Sequence, residues 1–253
     1  MKKQLTIAVS LMFLTLGLNG APAAGATLPT TVVTIQFDDG SADQFQAMGI
    51  LGGHGLHATF YINSGFIDDA DHLSWVQVQA LETGGNEIAG HTIFHTNVKK
   101  LKLDPATHAI CDDRTAIAAH VLNPPVSFAY PFGSFNARAK GVVASCGYTS
   151  GRGVSGVTDR KVFAETIPPL DAFATRTPPN PKQGTTLATI EGYVTAAEDN
   201  GGGWVQLVFH HVCDQCDAYS ITPDNLEALA AWLAPRATSG TVVMTTAQVM
   251  AIP

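Results

Sequence analysis

From Thr31 onward the chain alternates short β-branched runs with stretches of helical spacing, and that alternation limits the folds open to it. Strands are expected at Thr31–Phe37, His57–Ile62, Glu87–Ala89, Val126–Tyr130, Tyr148–Arg152, Trp204–His210 and Thr241–Met244. Helices are expected at Asp43–Leu51, Leu73–Leu81, Pro105–Leu122, Ala137–Cys146, Thr186–Asp199 and Pro223–Leu233, with a last short one near the end. The proline-rich stretch Pro168–Gly184 reads as loop. Repeated β-then-α units need a parallel sheet with helices outside it, closed as a barrel or left as a doubly wound sheet. In both forms functional side chains collect at the carboxyl ends of the strands.

Four groups of residues fall at such ends. Asp38 and Asp39 close the first strand in "TIQFDDG". Taken alone, Asp-Asp-Gly is an ordinary strand-terminating turn. His91 and His95, in "GHTIFHTN", are four residues apart, a spacing that lets a helix or a strand-exit loop turn both imidazoles the same way. Most such pairs bind nothing. With a carboxylate from another strand end, though, they make a two-His-one-carboxylate set with open coordination positions, as metal-assisted hydrolysis requires. Pro131-Phe132-Gly133 and His210 follow two further strands.

Lys2 and Lys3 precede an apolar run from Leu5 to Leu18 and then small residues, Ala21-Pro22-Ala23 and Ala24-Gly25-Ala26. That order is expected of a signal peptide over residues 1–26, with a catalytic domain over 27–253 and a secreted or periplasmic location. No later stretch is apolar enough to suggest a stable membrane span. The formal charge is −7 and grows more negative once the two leader lysines are removed, so nucleic acid is not an expected partner. Four cysteines suit an oxidising compartment. Cys213 and Cys216 form a C-x-x-C, which leaves Cys111 and Cys146 for each other. Two structural disulfides are expected, ahead of a zinc site or a redox centre at the C-x-x-C.

The segments TIQFDDG, EIAGHTIFHTN, FAYPFGSFN and LVFHHV resemble, in order, the successive motifs of the polysaccharide deacetylases (carbohydrate esterase family 4, the NodB-homology domain). The similarity runs from about Val32 to Val249. It implies a distorted, incomplete (β/α) barrel holding one divalent metal, commonly zinc, with cobalt or nickel as alternatives. Matched position by position, Asp38 is implied to be the general base, and Asp39, His91 and His95 the metal ligands. The backbone N–H of Phe132 is implied to be the oxyanion donor and His210 the general acid. The substrate implied is an acetylated carbohydrate, specifically N-acetylglucosamine units of a polymer or oligomer, handled by a monomer. An O-acetyl xylan esterase, an inactive carbohydrate-binding relic and a redox role for the C-x-x-C are the competing readings.

Two departures from the family pattern matter. The arginine that usually opens the third motif and steadies the base is replaced by Ala129. Arg152 and Arg176 are the candidates to supply a guanidinium from elsewhere. Arg176 is expected to be the one, because it lies where the family's fourth motif supplies supporting residues. The residue after the acid, often aspartate, is His211, for which a packed or surface role is expected.

Overall fold

The structure is a computed structural model that describes residues 30–158 and 160–253, so the expected signal segment lies outside the described residues. Eight parallel strands form a nearly closed barrel. β1 (Thr31–Asp39), β2 (Thr59–Ile62), β3 (Glu87–Gly90), β4 (Ser127–Ala129), β5 (Ser150–Gly156) and β6 (Thr175–Thr177) follow one another in the sheet. β7 (Gly203–Phe209) lines the whole of one edge of β1, from Thr31 to Phe37. The other edge is shared: β10 (Thr241–Val243) takes Thr31–Val33, and β2 takes Gln36–Asp39. Between β6 and β7 the wall is closed without a ladder. Gln206 Nε2 donates to the Arg176 carbonyl at 2.8 Å, and Glu165 pairs with Trp204 in an antiparallel bridge.

Residues along β1 alternate between two environments, as the two-residue period of a strand requires. Val33, Ile35 and Phe37 face the helices and join the main apolar core, where Phe37 stacks on Phe60 with ring centroids 5.0 Å apart. Thr34, Gln36 and Asp38 belong to the other face, and there the barrel interior is polar. Gln36 Nε2 donates to Thr34 Oγ1, Gln206 Oε1 and Thr246 Oγ1 at 2.8–3.1 Å. Asp38 is the last member of that inward row.

The outer helices are α1 (Gln46–Gly52), α2 (Trp75–Thr83), α3 (Leu103–Thr107), α4 (Asp113–Ala118), α5 (Ala137–Ser145), α6 (Leu187–Asp199), α7 (Pro223–Leu233) and α8 (Thr246–Met250). Their starts are written in the sequence. Ser74 and Thr245 form capping boxes with Gln77 and Gln248, while Asn136, Thr186 and Thr222 accept the N3 amide. Each such cap contributes about 1 kcal/mol. No helix among the described residues is long and apolar enough to cross a membrane.

Three local expectations change. The helix expected over Pro105–Leu122 starts at Leu103, ends at Ala118 and is broken by one π turn, His108–Asp112. The Pro168–Gly184 stretch contains β6, three residues long and hidden among prolines. After His210, β8 (His211–Val212) and β9 (Ser220–Ile221) form a small separate ladder.

Candidate active site

Asp38 and Asp39 should point to opposite faces if β1 stayed extended to its end. It does not: Asp39 has φ 78° and Gly40 φ 72°. The left-handed turn lets both carboxylates line one cavity of about 450 Å³, together with His91, His95, Tyr130, Phe132, Asn180, His210 and Tyr219. Thr92 (φ 67°), His95 (φ 50°) and Phe132 (φ 61°) also occupy the left-handed region, which is unfavourable for L side chains. Such strain gathers where side-chain aim matters more than local stability.

Asp39, His91 and His95 each place one ligand atom within 4.8 Å of the others. Asp39 Oδ1 lies 3.3 Å from Nε2 of both histidines. His91 is almost fully buried, and its Nδ1–H donates to the Ala129 carbonyl at 2.7 Å. That bond places the ring with Nε2 turned toward Asp39, the orientation typical of a metal-ligating imidazole. Asp39 Oδ1 is buried with no hydrogen-bond partner. Two imidazole nitrogens and an orphaned carboxylate oxygen are a donor set that suits a divalent cation. Burial disfavours the Asp39 carboxylate, but the nearby His91 ring, with His210 and His95, outweighs it and pulls its pKa down. His95 is lowered by burial and by the nearby His91, so its ring favours the neutral, ligating form.

Asp38 is also buried, which alone would raise its pKa; the Arg152 guanidinium, helped by His91 and His210, brings it below the usual value. Arg152 Nη2 donates to Asp38 Oδ1, Nη1 to the Gly153 carbonyl at 3.2 Å, and the guanidinium lies over the Tyr61 ring, 4.9 Å from its centroid.

Arg176, the arginine expected at this place, is elsewhere. Its Nε and Nη2 grip both oxygens of Glu165 at 2.8 and 2.6 Å, so its fork of donors is already engaged. The reason lies in strand register: Arg152 is the ladder partner of Ala129 across β4–β5. The guanidinium enters from the strand next to the residue it replaces, and Ala129 is small enough to leave it room.

His210 sits just past β7, its ring against Tyr219 at 5.1 Å. Gln44, fully buried, donates from Nε2 to the carbonyls of both Asp38 and His210, at 2.6 Å to the latter. It ties together the strand ends that carry Asp38 and His210. A lone glutamine in a helical pattern gave no sequence signal for this. His211 does not join the cavity's ligand set; its Nδ1 pairs with Asp43 Oδ2 at 2.8 Å. Phe132 packs on His95 with ring centroids 4.4 Å apart while its side chain stays mostly exposed at the rim.

The cysteines pair as Cys111–Cys146 and Cys213–Cys216, with Cα atoms 5.0 and 5.9 Å apart. Asp43, Cys213 and Cys216 also cluster, but the two sulfurs are consumed by the disulfide.

The sequence model of the family described as polysaccharide deacetylase matches residues 25–151, half of the chain. The chain belongs to this family. The YxkH protein of Bacillus subtilis, which carries the same family name, is 27% identical over 120 residues, 47% of this deacetylase-family chain. The match spans 43% of that relative, less than half its length. Among solved structures, a family 4 acetyl xylan esterase from Clostridium thermocellum, in complex with a cobalt ion, superposes with a TM-score of 0.58. It covers 87% of this chain and 90% of its own at 20% identity. The peptidoglycan deacetylase PdaC from Bacillus subtilis superposes with a TM-score of 0.55 over 87% of this chain and 90% of its own, at 15% identity. At these identities both show that the polysaccharide deacetylases share this barrel fold.

Proposed function

We propose that the chain hydrolyses acetyl groups from N-acetylglucosamine units of a polysaccharide or oligosaccharide, with one divalent cation, zinc by preference, held by Asp39, His91 and His95. The observation that carries this reading is the meeting of that three-donor cluster with Asp38 and His210 on one cavity wall. The cation, when bound, supplies Lewis-acid polarisation of the acetyl carbonyl and acidifies water. Asp38 acts as general base. Its Oδ1 is engaged by Arg152, which leaves Oδ2 to take the proton from the attacking water. The Phe132 N–H donates to the oxyanion that develops on the acetyl oxygen. His210 gives a proton to the departing sugar nitrogen, so the products are acetate and a free amine. Phe132 and Tyr219, exposed at the rim, offer flat apolar faces to a sugar ring.

The same residues would cleave an O-acetyl ester, and the likeness to an acetyl xylan esterase favours that as the second reading. Acetate release from chitin oligomers, peptidoglycan and acetylated xylan, each with and without chelator, separates the two. Release from the N-acetylated substrates that stops on chelation is the expected result. Release from xylan alone moves the assignment to an esterase, and no release from any substrate by metal-loaded protein overturns the hydrolytic reading. The expected signal peptide over residues 1–26 and the two disulfides are in keeping with an exported, oxidised protein whose catalytic domain spans 27–253.

A further inference from the structure

Asp113 takes no part in the chemistry above, yet it is fully buried directly behind the metal-ligand loop. Its Oδ2 accepts the backbone N–H of His91 at 3.2 Å, and its Oδ1 accepts that of Ser64 at 3.0 Å. Ser64 follows β2 and His91 follows β3, so one carboxylate joins the exits of two adjacent strands.

A second tether comes from the same turn of helix. The Ala109 carbonyl accepts the N–H of Ile93, midway between His91 and His95, at 3.2 Å. Ala109 and Asp113 are four residues apart and meet the loop from one side. They do so across the π turn His108–Asp112, whose wider winding changes the direction of every residue that follows it. Close packing at Gly90 completes the contact: a Cβ there would lie 3.1 Å from Asp113 Oδ2 and 2.0 Å from Tyr148 Oη. The elements that bring in Asp113 and Tyr148 are themselves joined, because Cys111 lies in the π turn and Cys146 two residues before Tyr148.

We infer that the π turn is the scaffold of the metal site. Asp113 is a positioning residue that fixes His91, the Ala109–Ile93 bond carries the constraint toward His95, and the Cys111–Cys146 disulfide ties the turn to the segment whose Tyr148 packs on Gly90. A regular α-helix over the same residues would rotate Asp113 off this face, and the two imidazoles would lose their common support. The inference rests on the reading of Asp39, His91 and His95 as ligands of one cation.

Zinc and cobalt dissociation constants, measured by chelator competition on the purified protein and on Asp113→Asn, Asp113→Ala and a Cys111→Ser/Cys146→Ser double variant, test it. The expected result is binding weakened about 10–100-fold by Asp113→Asn, the range typical of groups that orient metal ligands. The disulfide variant should shift in the same direction. Thermal unfolding of the metal-free proteins is recorded in parallel. A drop in metal-free Tm with unchanged metal affinity would show ordinary structural support and overturn the inference. Should Asp113→Ala not fold, the near-isosteric Asp113→Asn still gives the decisive measurement. If the unaltered protein binds neither cation, the ligand reading itself falls, an outcome distinct from a positioning failure.

Discussion

Arg152 reaches Asp38 from the strand beside Ala129, so a guanidinium meets this carboxylate without an arginine at the motif position. Both partners are almost completely buried, and the ion pair fixes one carboxylate oxygen while the other remains available. Removing the guanidinium would leave the carboxylate buried and unpaired, and free to turn. Arg152→Ala should therefore lower kcat by about 10–100-fold with metal content retained. Arg152→Lys should recover only part of the loss, because an ammonium cannot replace a planar fork. Steady-state kinetics with metal analysis checks both; full activity in Arg152→Ala would remove its positioning role.

Asp38→Asn keeps the volume and loses the proton acceptor. It should reduce kcat by about 10²–10⁴-fold, the usual contribution of a general base. Metal content should not change. His91→Ala and His95→Ala should show the opposite pattern, losing metal first. Metal analysis after dialysis distinguishes the two classes.

The Arg176–Glu165 pair makes a separate prediction about acid stability. Glu165 is buried, which would raise its pKa, but the Arg176 hydrogen bond and two backbone N–H groups outweigh burial and lower it. A carboxyl depressed in the folded state stabilises the fold fully above its unfolded pKa of about 4.3, and the contribution disappears as pH falls through the lower folded value. The Glu165 contribution, read as the Tm difference between the unaltered protein and Glu165→Gln, should hold steady from neutral pH down to about 5 and then shrink. Glu165→Gln should start from a lower Tm and show a shallower acid limb. Arg176→Ala should lower Tm while turnover per folded molecule stays unchanged. A kcat loss in Arg176→Ala matching that of Arg152→Ala would contradict the placement of these two arginines.

Phe37 stacks with Phe60 and also meets Phe209 at 5.9 Å, at the junction of β1, β2 and β7. Phe37→Ala should cost about 3–5 kcal/mol, since neighbouring strands cannot collapse into the space left behind. Urea unfolding measures it. A loss under about 1 kcal/mol would mean that the site relaxes far more than a close-packed interior allows.

The parts of this protein that were legible in its sequence are those set by period and by local chemistry. Strand runs such as Thr31–Phe37 and capped helix starts such as Thr222-Pro223 announce themselves within a few residues. The histidine and aspartate positions were legible because strand ends and motif order coincide. What escaped depends on register or on distant partners. Arg152 and Arg176 look alike in sequence, and only the Ala129–Arg152 ladder pairing separates them. β6 is too short to leave a periodic signal, and Gln44 and Asp113 act through backbone groups of residues far away in the chain. The turn at Asp39 reverses the opposite-face expectation for two neighbouring carboxylates.

The double-sided pairing of β1 also bears on when this chain can fold. Its first described strand is completed only by residues 203–209 on one edge and 241–243 on the other. Those contacts close loops of well over a hundred residues, and such non-local pairing slows folding by delaying the contacts that repay chain ordering. A ribosome that has released the first half of the chain has released β1 with its β7 edge still bare. Closure of the barrel therefore waits for residues 203–209 and 241–243 to be available to β1.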